Sequence, residues 1–192
     1  TTPPMRRWPP IVEPVRSWPR EVCVVEREAA GTAVRRALAD SELEWEAEGE
    51  WMFHVLLPGE RKLKTPARID IGDHSLAVHA FVCRRPDENH EVVYRWLLER
   101  NMRLFAVAFG LDAAGDIYLD ARLPLAGVTP AEVDRLLGSV LTYADESFNT
   151  ILELGFASSI RKEWEWRISR GEPTHNLSAF IGPLGLTRPA DG

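Results

Sequence analysis

The stretch between residues 51 and 84 constrains the fold most, because its apolar residues alternate with polar ones and tight turns interrupt the alternation. Such alternation is typical of strands that are buried on one face. The predicted strands cover Trp51–Leu57, Leu63–Ile71 and Ser75–Arg84, with turns at Pro58-Gly59 and Gly72-Asp73. Connections this short permit only antiparallel neighbours. The sequence therefore predicts an antiparallel meander.

Helical periodicity and a hairpin surround this meander. Apolar residues recur at helical spacing in Val24–Ala39, from Pro86 to Asn101, and after Thr129. Two further strands, Leu104–Leu111 and Ile117–Leu123, are joined by a glycine-containing hairpin turn. Between residues 43 and 47 apolar residues alternate with glutamates, and this pattern predicts only an extended segment that leads into the meander. The element order is α-β-β-β-α-β-β-α, so we expect an α+β fold with an antiparallel sheet packed against helices.

Helix boundaries have their own signals. Thr129-Pro130-Ala131-Glu132 combines an N-cap threonine, a proline in the first turn and a glutamate three residues on. Asp87 or Asn89 can cap the middle helix. Gly155 is expected to bend or break the last helix, because glycine weakens a helix interior.

The ends of the chain differ in composition from its middle. We expect a proline-rich arm at 1–22, one folded domain at 23–171, and an irregular tail at 172–192. In the arm, Trp8 and Trp18 each precede a proline, and dense proline excludes helix and interior strand. Two interpretations remain open: a loose end, or an arm whose tryptophans dock on the domain or on a second subunit.

Charge and composition exclude several classes of function. The net charge of −6 and the acidic isoelectric point of about 5.4 argue against nucleic-acid binding, which needs a positive surface. No run of about 18 apolar residues is present, so no membrane span is predicted. Met5-Arg6-Arg7 is not followed by an apolar stretch, so we expect no signal peptide and a cytoplasmic location. Cys23 and Cys83 match no metal or redox spacing and are expected to be thiols.

The usual catalytic constellations are absent from the sequence. It has no nucleophile elbow, phosphate loop or dinucleotide fingerprint. His74 and His79 are five residues apart on one predicted strand, and an odd separation places them on opposite faces. We therefore expect no enzyme activity, with no catalytic, cofactor-binding or metal-ligating residue. If a pocket exists, the plausible donors on the strands are His54, His79, Asp70 and Cys83.

The middle helix carries more apolar surface than one core face requires. On a helical projection Val92, Val93, Trp96 and Leu97 form a core face, while Tyr94 and Leu98 fall on the side expected to be wet. A helix apolar over so much of its circumference is usually buried on two sides. The second side could contact a partner, contact a second subunit, or be covered by the arm or the tail.

Two tryptophans in the last helix form the other candidate surface. Trp164 and Trp166 are two residues apart and cannot share a helix face. One is expected to pack inward and the other to point toward the tail or a partner. Arginines lie beside them, and this combination is typical of binding hot spots, although both could equally belong to the core.

Several blocks of sequence together resemble a known family. The blocks are Ile71-Gly72-Asp73-His74-Ser75-Leu76-Ala77-Val78-His79-Ala80-Phe81-Val82, Pro86-Asp87-Glu88-Asn89-His90-Glu91, Tyr94-Arg95-Trp96-Leu97-Leu98, Asn101, Phe105-Ala106-Val107-Ala108-Phe109, Gly115-Asp116-Ile117-Tyr118-Leu119, Asp145-Glu146-Ser147-Phe148-Asn149, Leu152-Glu153-Leu154-Gly155-Phe156 and Trp164-Glu165-Trp166-Arg167. From about Ala30 to Gly171 the chain resembles the actinobacterial branch of the YbjN domain family. The resemblance implies a fold similar to type III secretion chaperones, which are small, acidic, usually dimeric α+β proteins that hold extended client segments. The family is described as sensory transduction regulators and implies no catalytic residues.

Two hypotheses about function follow. The first is a non-enzymatic, homodimeric regulator or chaperone-like adaptor that binds a protein client, with Tyr94, Trp96, Leu98, Trp164 and Trp166 as candidate interface residues. The middle helix or an edge strand would form the dimer, and the sheet face or a groove beside the two tryptophans would hold the client, with addition of a strand to the sheet edge as the expected mechanism. The second is a small-molecule sensor or unrecognised enzyme with a pocket between the sheet and the C-terminal helix. A closed pocket lined by the strand donors would favour the second, and a solid core with an open groove would favour the first.

Overall fold

A computed structural model describes residues 20–187 of the 192-residue chain, and a six-stranded antiparallel sheet is its centre. The strands are β1 (Glu44–Glu48), β2 (Met52–Pro58), β3 (Lys64–Ile71), β4 (Ser75–Cys83), β5 (Val107–Leu111) and β6 (Ile117–Pro124). Their spatial order is β1-β2-β3-β4-β6-β5. The first four strands form a meander, and the β5–β6 hairpin joins it through β6.

The helices that contact the sheet lie against one of its faces. They are α1 (Arg20–Ala39), α2 (His90–Asn101), α3 (Pro130–Gly155), α4 (Ala157–Arg170) and the short α5 (Ile181–Leu184), with 3-10 turns at Leu125–Gly127 and His175–Phe180. The core is continuous: strand residues such as Phe53 and Ile69 pack with helix residues such as Leu38, Val140 and Ile151. The predicted α+β fold class is confirmed.

Within the predicted domain, the observed order of helices and strands differs from the predicted one in two places. The segment predicted as an extended entry is a true strand, β1, so the meander has four strands and not three. The predicted last helix is two helices, because α3 ends at Gly155 and α4 begins at Ala157. The break at Gly155 was predicted, and at this residue the chain also packs closely against Pro86 and Val93.

The start of α3 follows the predicted capping signal. The N–H group of Glu132 donates to the Thr129 hydroxyl at 3.2 Å, and Pro130 occupies the first turn. The start of α2 does not follow its predicted signal. Asn89 has a φ of 54° and makes no side-chain cap; its amide instead donates to the Leu154 carbonyl at 3.0 Å. The Asp87 carboxylate accepts hydrogen bonds from Arg84 and Ser159.

Residues 172–187, the described part of the predicted irregular tail, contain the 3-10 turn His175–Phe180 and α5. Leu177 and Phe180 are buried there, so this segment packs on the domain. The proline-rich arm and the suggested docking of Trp8 and Trp18 lie outside the described residues.

Candidate functional site

The sheet face opposite the helices carries the best-defined site. We call it the open face; His54, Arg68, His79 and Asp120 form one row across it. Cross-strand pairing places His54 opposite Arg68, Arg68 opposite His79, and His79 opposite Asp120. Residues that pair directly share a face and lie close enough to interact. Four strands thus present one row of ionisable side chains to solvent.

The ionisable row is internally paired. His79 Nδ1 is hydrogen-bonded to an Asp120 carboxylate oxygen, and His79 Nε2 lies 3.9 Å from Asp70 Oδ2. Arg68 Nε donates to the same Asp70 oxygen at 2.8 Å. The side chains of Arg68 and His79 therefore alternate with the carboxylates of Asp70, beside the row, and Asp120, within it. Such mutual pairing holds the side chains in place, while partial exposure keeps each pair weak, about 0–1 kcal/mol.

An apolar row runs beside the ionisable one. Phe81 lies opposite Tyr118, and their rings meet edge to face at 5.5 Å; Leu56 lies opposite Pro66. Desolvation by burial raises the pKa of Tyr118, so its phenol is neutral at physiological pH. Together the two rows line a groove of 730 Å³ that opens to solvent and reaches β1 at one side.

The predicted pocket donors fall on both sides of the sheet. His54, Asp70 and His79 lie on the open face, where His54 Nε2 contacts Glu48 Oε2 at 2.7 Å. Cys83 is buried, and burial raises the pKa of its thiol to about 12. A protonated, buried thiol is a poor nucleophile. Within residues 20–187 no group of three His, Cys, Asp or Glu side chains could hold a metal ion.

The candidate interface residues of α2 differ in exposure. Tyr94 is half-buried with its ring 6.0 Å from His90, and Trp96 is half-buried with its ring 6.4 Å from Phe109. Leu98 is 67% exposed. Val92, predicted for the core face, is 51% exposed because the helix contacts the core chiefly through Val93 and Leu97.

Leu98 belongs to a small apolar surface. Met102 and Phe105 follow it and are 87% and 67% exposed. We call Leu98, Met102 and Phe105 the α2 patch. No described residue covers these three side chains, so the predicted covering by the tail does not occur for residues 172–187.

The two tryptophans of α4 separate as predicted, one inward and one outward. Trp164 is buried, and its indole N–H donates to the Thr187 carbonyl at 3.1 Å. Trp166 is 45% exposed, with the Arg170 guanidinium 5.1 Å from its ring centre. Trp164 is therefore a core residue that contacts the tail and lines a cavity of 390 Å³ beside it, whereas Trp166 is largely exposed.

Sequence reasoning missed Arg68, Phe81, Tyr118 and Asp120 as members of one site. Each lies at a position that alternates with the buried residues of its strand, and this alternation is all that the sequence of a single strand reveals. Their meeting depends on β6 lying beside β4, a pairing of strands far apart in the chain. That long-range order cannot be read from alternation alone.

Comparison with known proteins identifies the family. A profile described as "YbjN: Putative bacterial sensory transduction regulator" matches residues 31–153. The chain belongs to the YbjN family. The match covers α1 from its middle, the whole sheet and most of α3, so it includes both the open face and the α2 patch.

Relatives of high identity come from mycobacteria. An uncharacterized protein of Mycobacterium leprae is 59% identical over 143 residues, which cover 74% of this chain and 78% of the relative. An uncharacterized protein of Mycobacterium tuberculosis is 59% identical over 126 residues, covering 66% and 69%. Neither relative has an assigned activity in its name.

The solved structures that are similar to this chain include two protein complexes. The ExsC–ExsE complex has a TM-score of 0.45 at 22% identity and covers 67% of this chain and 93% of the other. The HopA1–SchA chaperone–effector complex has a TM-score of 0.45 at 12% identity, covering 66% and 95%. Both scores lie below 0.5, and nothing about function follows from them.

In residues 20–187 no helix is long and apolar enough to cross a membrane.

Proposed function

We propose that this YbjN-family protein is a non-enzymatic binding module, a regulator or chaperone-like adaptor, that holds an extended protein segment on its open face. The observation that carries the proposal is the open groove of 730 Å³ in which an apolar row lies beside a paired ionisable row. Apolar side chains of an extended ligand can be buried against Leu56, Phe81 and Tyr118. Polar groups can exchange hydrogen bonds with the ionisable row.

The shape of the site favours a chain over an enclosed small molecule. Ligand pockets usually bury about 70–90% of a small ligand, which an open sheet face does not do. The core beneath is packed, and Cys83, the one thiol among the predicted donors, is buried and protonated. The predicted alternative, a small-molecule sensor or unrecognised enzyme, was expected to have its pocket between the sheet and the C-terminal helix, whereas the groove lies on the open face. Such a protein would use this groove, whose volume falls within the usual range of about 300–1,000 Å³.

We further propose that the protein acts as a homodimer through the α2 patch. Large exposed apolar side chains grouped at the end of one helix and in the loop after it favour a covered state. In a two-fold antiparallel pairing of α2, Leu98 of each copy can lie against Met102 of the other, which supports a second copy as the occupant.

Native mass spectrometry on tagged protein captured from its own cells tests the binding function. The variants are Leu56→Asp, which places a charge in the groove, and Leu63→Asp, which makes the same change at a 75% exposed loop residue. Circular dichroism and thermal melting verify that each variant is folded. We expect a second polypeptide at fixed ratio with wild type and Leu63→Asp, and its loss with Leu56→Asp.

Two other results of this experiment would contradict protein binding in the groove. A small ligand that is lost with Leu56→Asp would support the sensor alternative and contradict protein binding. A polypeptide retained by Leu56→Asp would place the binding site elsewhere. If Leu56→Asp does not fold, Arg68→Glu is the second groove variant, because Arg68 is exposed and its replacement buries nothing.

A further inference from the structure

The two free edges of the sheet are not equivalent. β5 and β1 lie at opposite ends of the strand order, so each could accept another strand. At β5, Asn101 already occupies the centre of the edge. The N–H of Phe109 donates to Asn101 Oδ1 at 2.7 Å, and Asn101 Nδ2 donates to the Phe109 carbonyl at 3.1 Å. The side-chain amide thus takes the place of a residue in a further strand.

The β1 edge has no such cover among residues 20–187. No described strand or side chain hydrogen-bonds to its outer side, and all five of its residues are exposed. Its register with β2 is continuous from Glu44 opposite Leu56 to Glu48 opposite Met52, without a bulge. It contains no proline or lysine, two residues that commonly protect an edge strand from pairing.

The side chains of β1 separate into two sets. Trp45 and Ala47 lie on the helix side, where the Trp45 ring is 6.3 Å from that of Phe53. Glu44, Glu46 and Glu48 point to the open face, because they pair with Leu56, His54 and Met52. Glu44 is 3.8 Å from Lys64, and Glu48 contacts His54, whereas Glu46 makes no ion pair within the described part of the chain.

These glutamates decide which strand can pair with β1. In a two-fold antiparallel pairing with a second copy centred at residue 46, Glu44 would face the partner's Glu48, and Glu46 would face the partner's Glu46. Like charges directly opposite each other destabilise a strand pair. The β1 edge is therefore selective against its own copy, and a strand with cations at alternate positions complements it.

Resting on the proposed function, we infer that β1 accepts the client segment as a seventh strand. The segment has Lys or Arg at alternate positions facing Glu44, Glu46 and Glu48, and apolar residues between them facing Trp45. Main-chain hydrogen bonds supply the affinity and the alternate side chains supply the specificity. Glu44 and Glu46 also line the groove, so client residues beyond the paired strand can reach the apolar row of the open face.

Fluorescence anisotropy with the full chain and a synthetic seven-residue probe tests the inference. The probe alternates arginine with valine and starts and ends with arginine; its control has the same composition with all arginines at one end. We expect the alternating probe to bind more tightly than the control. Glu46→Lys should weaken the alternating probe by about tenfold. Glu99→Lys, the same charge change on α2, should leave its affinity unchanged.

Probes with methylated backbone nitrogens separate strand pairing from simple charge attraction. Methyl groups on the alternate amides that face β1 should abolish binding, whereas methyl groups on the other alternate set should be tolerated. Equal effects of the two sets, or an unchanged affinity in Glu46→Lys, would overturn strand addition at β1. The proposed function would still stand if Leu56→Asp released the captured client, so the two failures are distinguishable.

Two other occupants of the edge have their own signatures. If the chain lacking residues 1–19 binds the probe and the full chain does not, the N-terminal arm occupies β1 and the inference is wrong. If adding the probe converts a dimer to a monomer, a second copy occupies the edge and the inference is again wrong. Binding by the full chain with its oligomeric state unchanged supports a separate client.

Discussion

α3 ends at Gly155, and the segment that precedes α2 packs closely against this residue. A Cβ atom at this position would lie 2.8 Å from Pro86 Cβ and 3.2 Å from a Val93 methyl carbon. The Gly155 carbonyl also accepts the N–H groups of Asp87 at 2.9 Å and Glu88 at 3.2 Å. The break predicted from glycine's helix propensity therefore has a second cause, since the absent side chain makes room for the segment that precedes α2.

We expect Gly155→Ala to lower the free energy of unfolding by about 1–3 kcal/mol, because the methyl group cannot fit without moving the backbone around Pro86. Gly138→Ala is the matched control on the same helix, where nothing lies within 4 Å of the added atom. It should raise the free energy of unfolding by about 0.5–1 kcal/mol through helix propensity. Urea denaturation measures both. A stable Gly155→Ala would contradict the tight junction.

The start of α4 is held by acidic residues from the loop before α2. Glu88 accepts the backbone N–H of Ser158 at 2.6 Å and its hydroxyl at 2.9 Å, which caps α4 from outside the helix. Asp87 accepts from the Arg84 guanidinium at 2.8 Å and from the Ser159 hydroxyl at 2.7 Å. Carboxylates at a helix N-terminus satisfy free N–H groups and interact favourably with the helix dipole.

This junction predicts a specific loss of stability in acid. The Arg84 hydrogen bond lowers the pKa of Asp87 from 3.8 to about 2, and the Ser158 backbone hydrogen bond lowers the pKa of Glu88. A depressed pKa in the folded state contributes stability that is full above the unfolded pKa and lost as pH falls toward the folded pKa. We therefore expect the urea midpoint to fall between pH 5 and about pH 2.

Two variants isolate the contribution of the α4 cap. Glu88→Gln should show a shallower fall of the urea midpoint with pH than wild type, because its side chain no longer binds a proton differently in the two states. Ser158→Ala keeps the backbone N–H that is the main cause of the Glu88 shift, so its pH dependence should lie between the two. Identical pH dependence in all three proteins would contradict the cap.

Element by element, the sequence predicted the local structure better than the assembly. The strands β2, β3 and β4 and the α3 capping signal were predicted because each depends on neighbours in the chain. β1 was predicted only as an extended segment, although its apolar residues alternate with glutamates, because its pairing with β2 cannot be read from so short a stretch. The Asn101 contact with Phe109 also had no local signal, since it depends on where α2 ends beside β5.

In the whole molecule, the two proposed binding surfaces do not compete. α2 packs against α3 and β5 on the helix side of the sheet, while the groove occupies the open face. A dimer through the α2 patch would leave both open faces and both β1 edges accessible. Such a dimer could bind two segments of one client. Binding of the first segment would then raise the effective concentration of the second at the other protomer.

The α2 patch predicts the oligomeric state. We expect wild type to sediment as a dimer in analytical ultracentrifugation and Leu98→Asp to sediment as a folded monomer, because a buried unpaired carboxylate strongly opposes association. Tyr94 is unsuitable for this test, since it packs partly against the core. Leu63→Asp makes the same change at an exposed loop residue and should remain dimeric. A monomeric wild type, or a dimeric Leu98→Asp, would show that the patch does not form the dimer, and the exposed apolar surface of α2 would then require a different occupant.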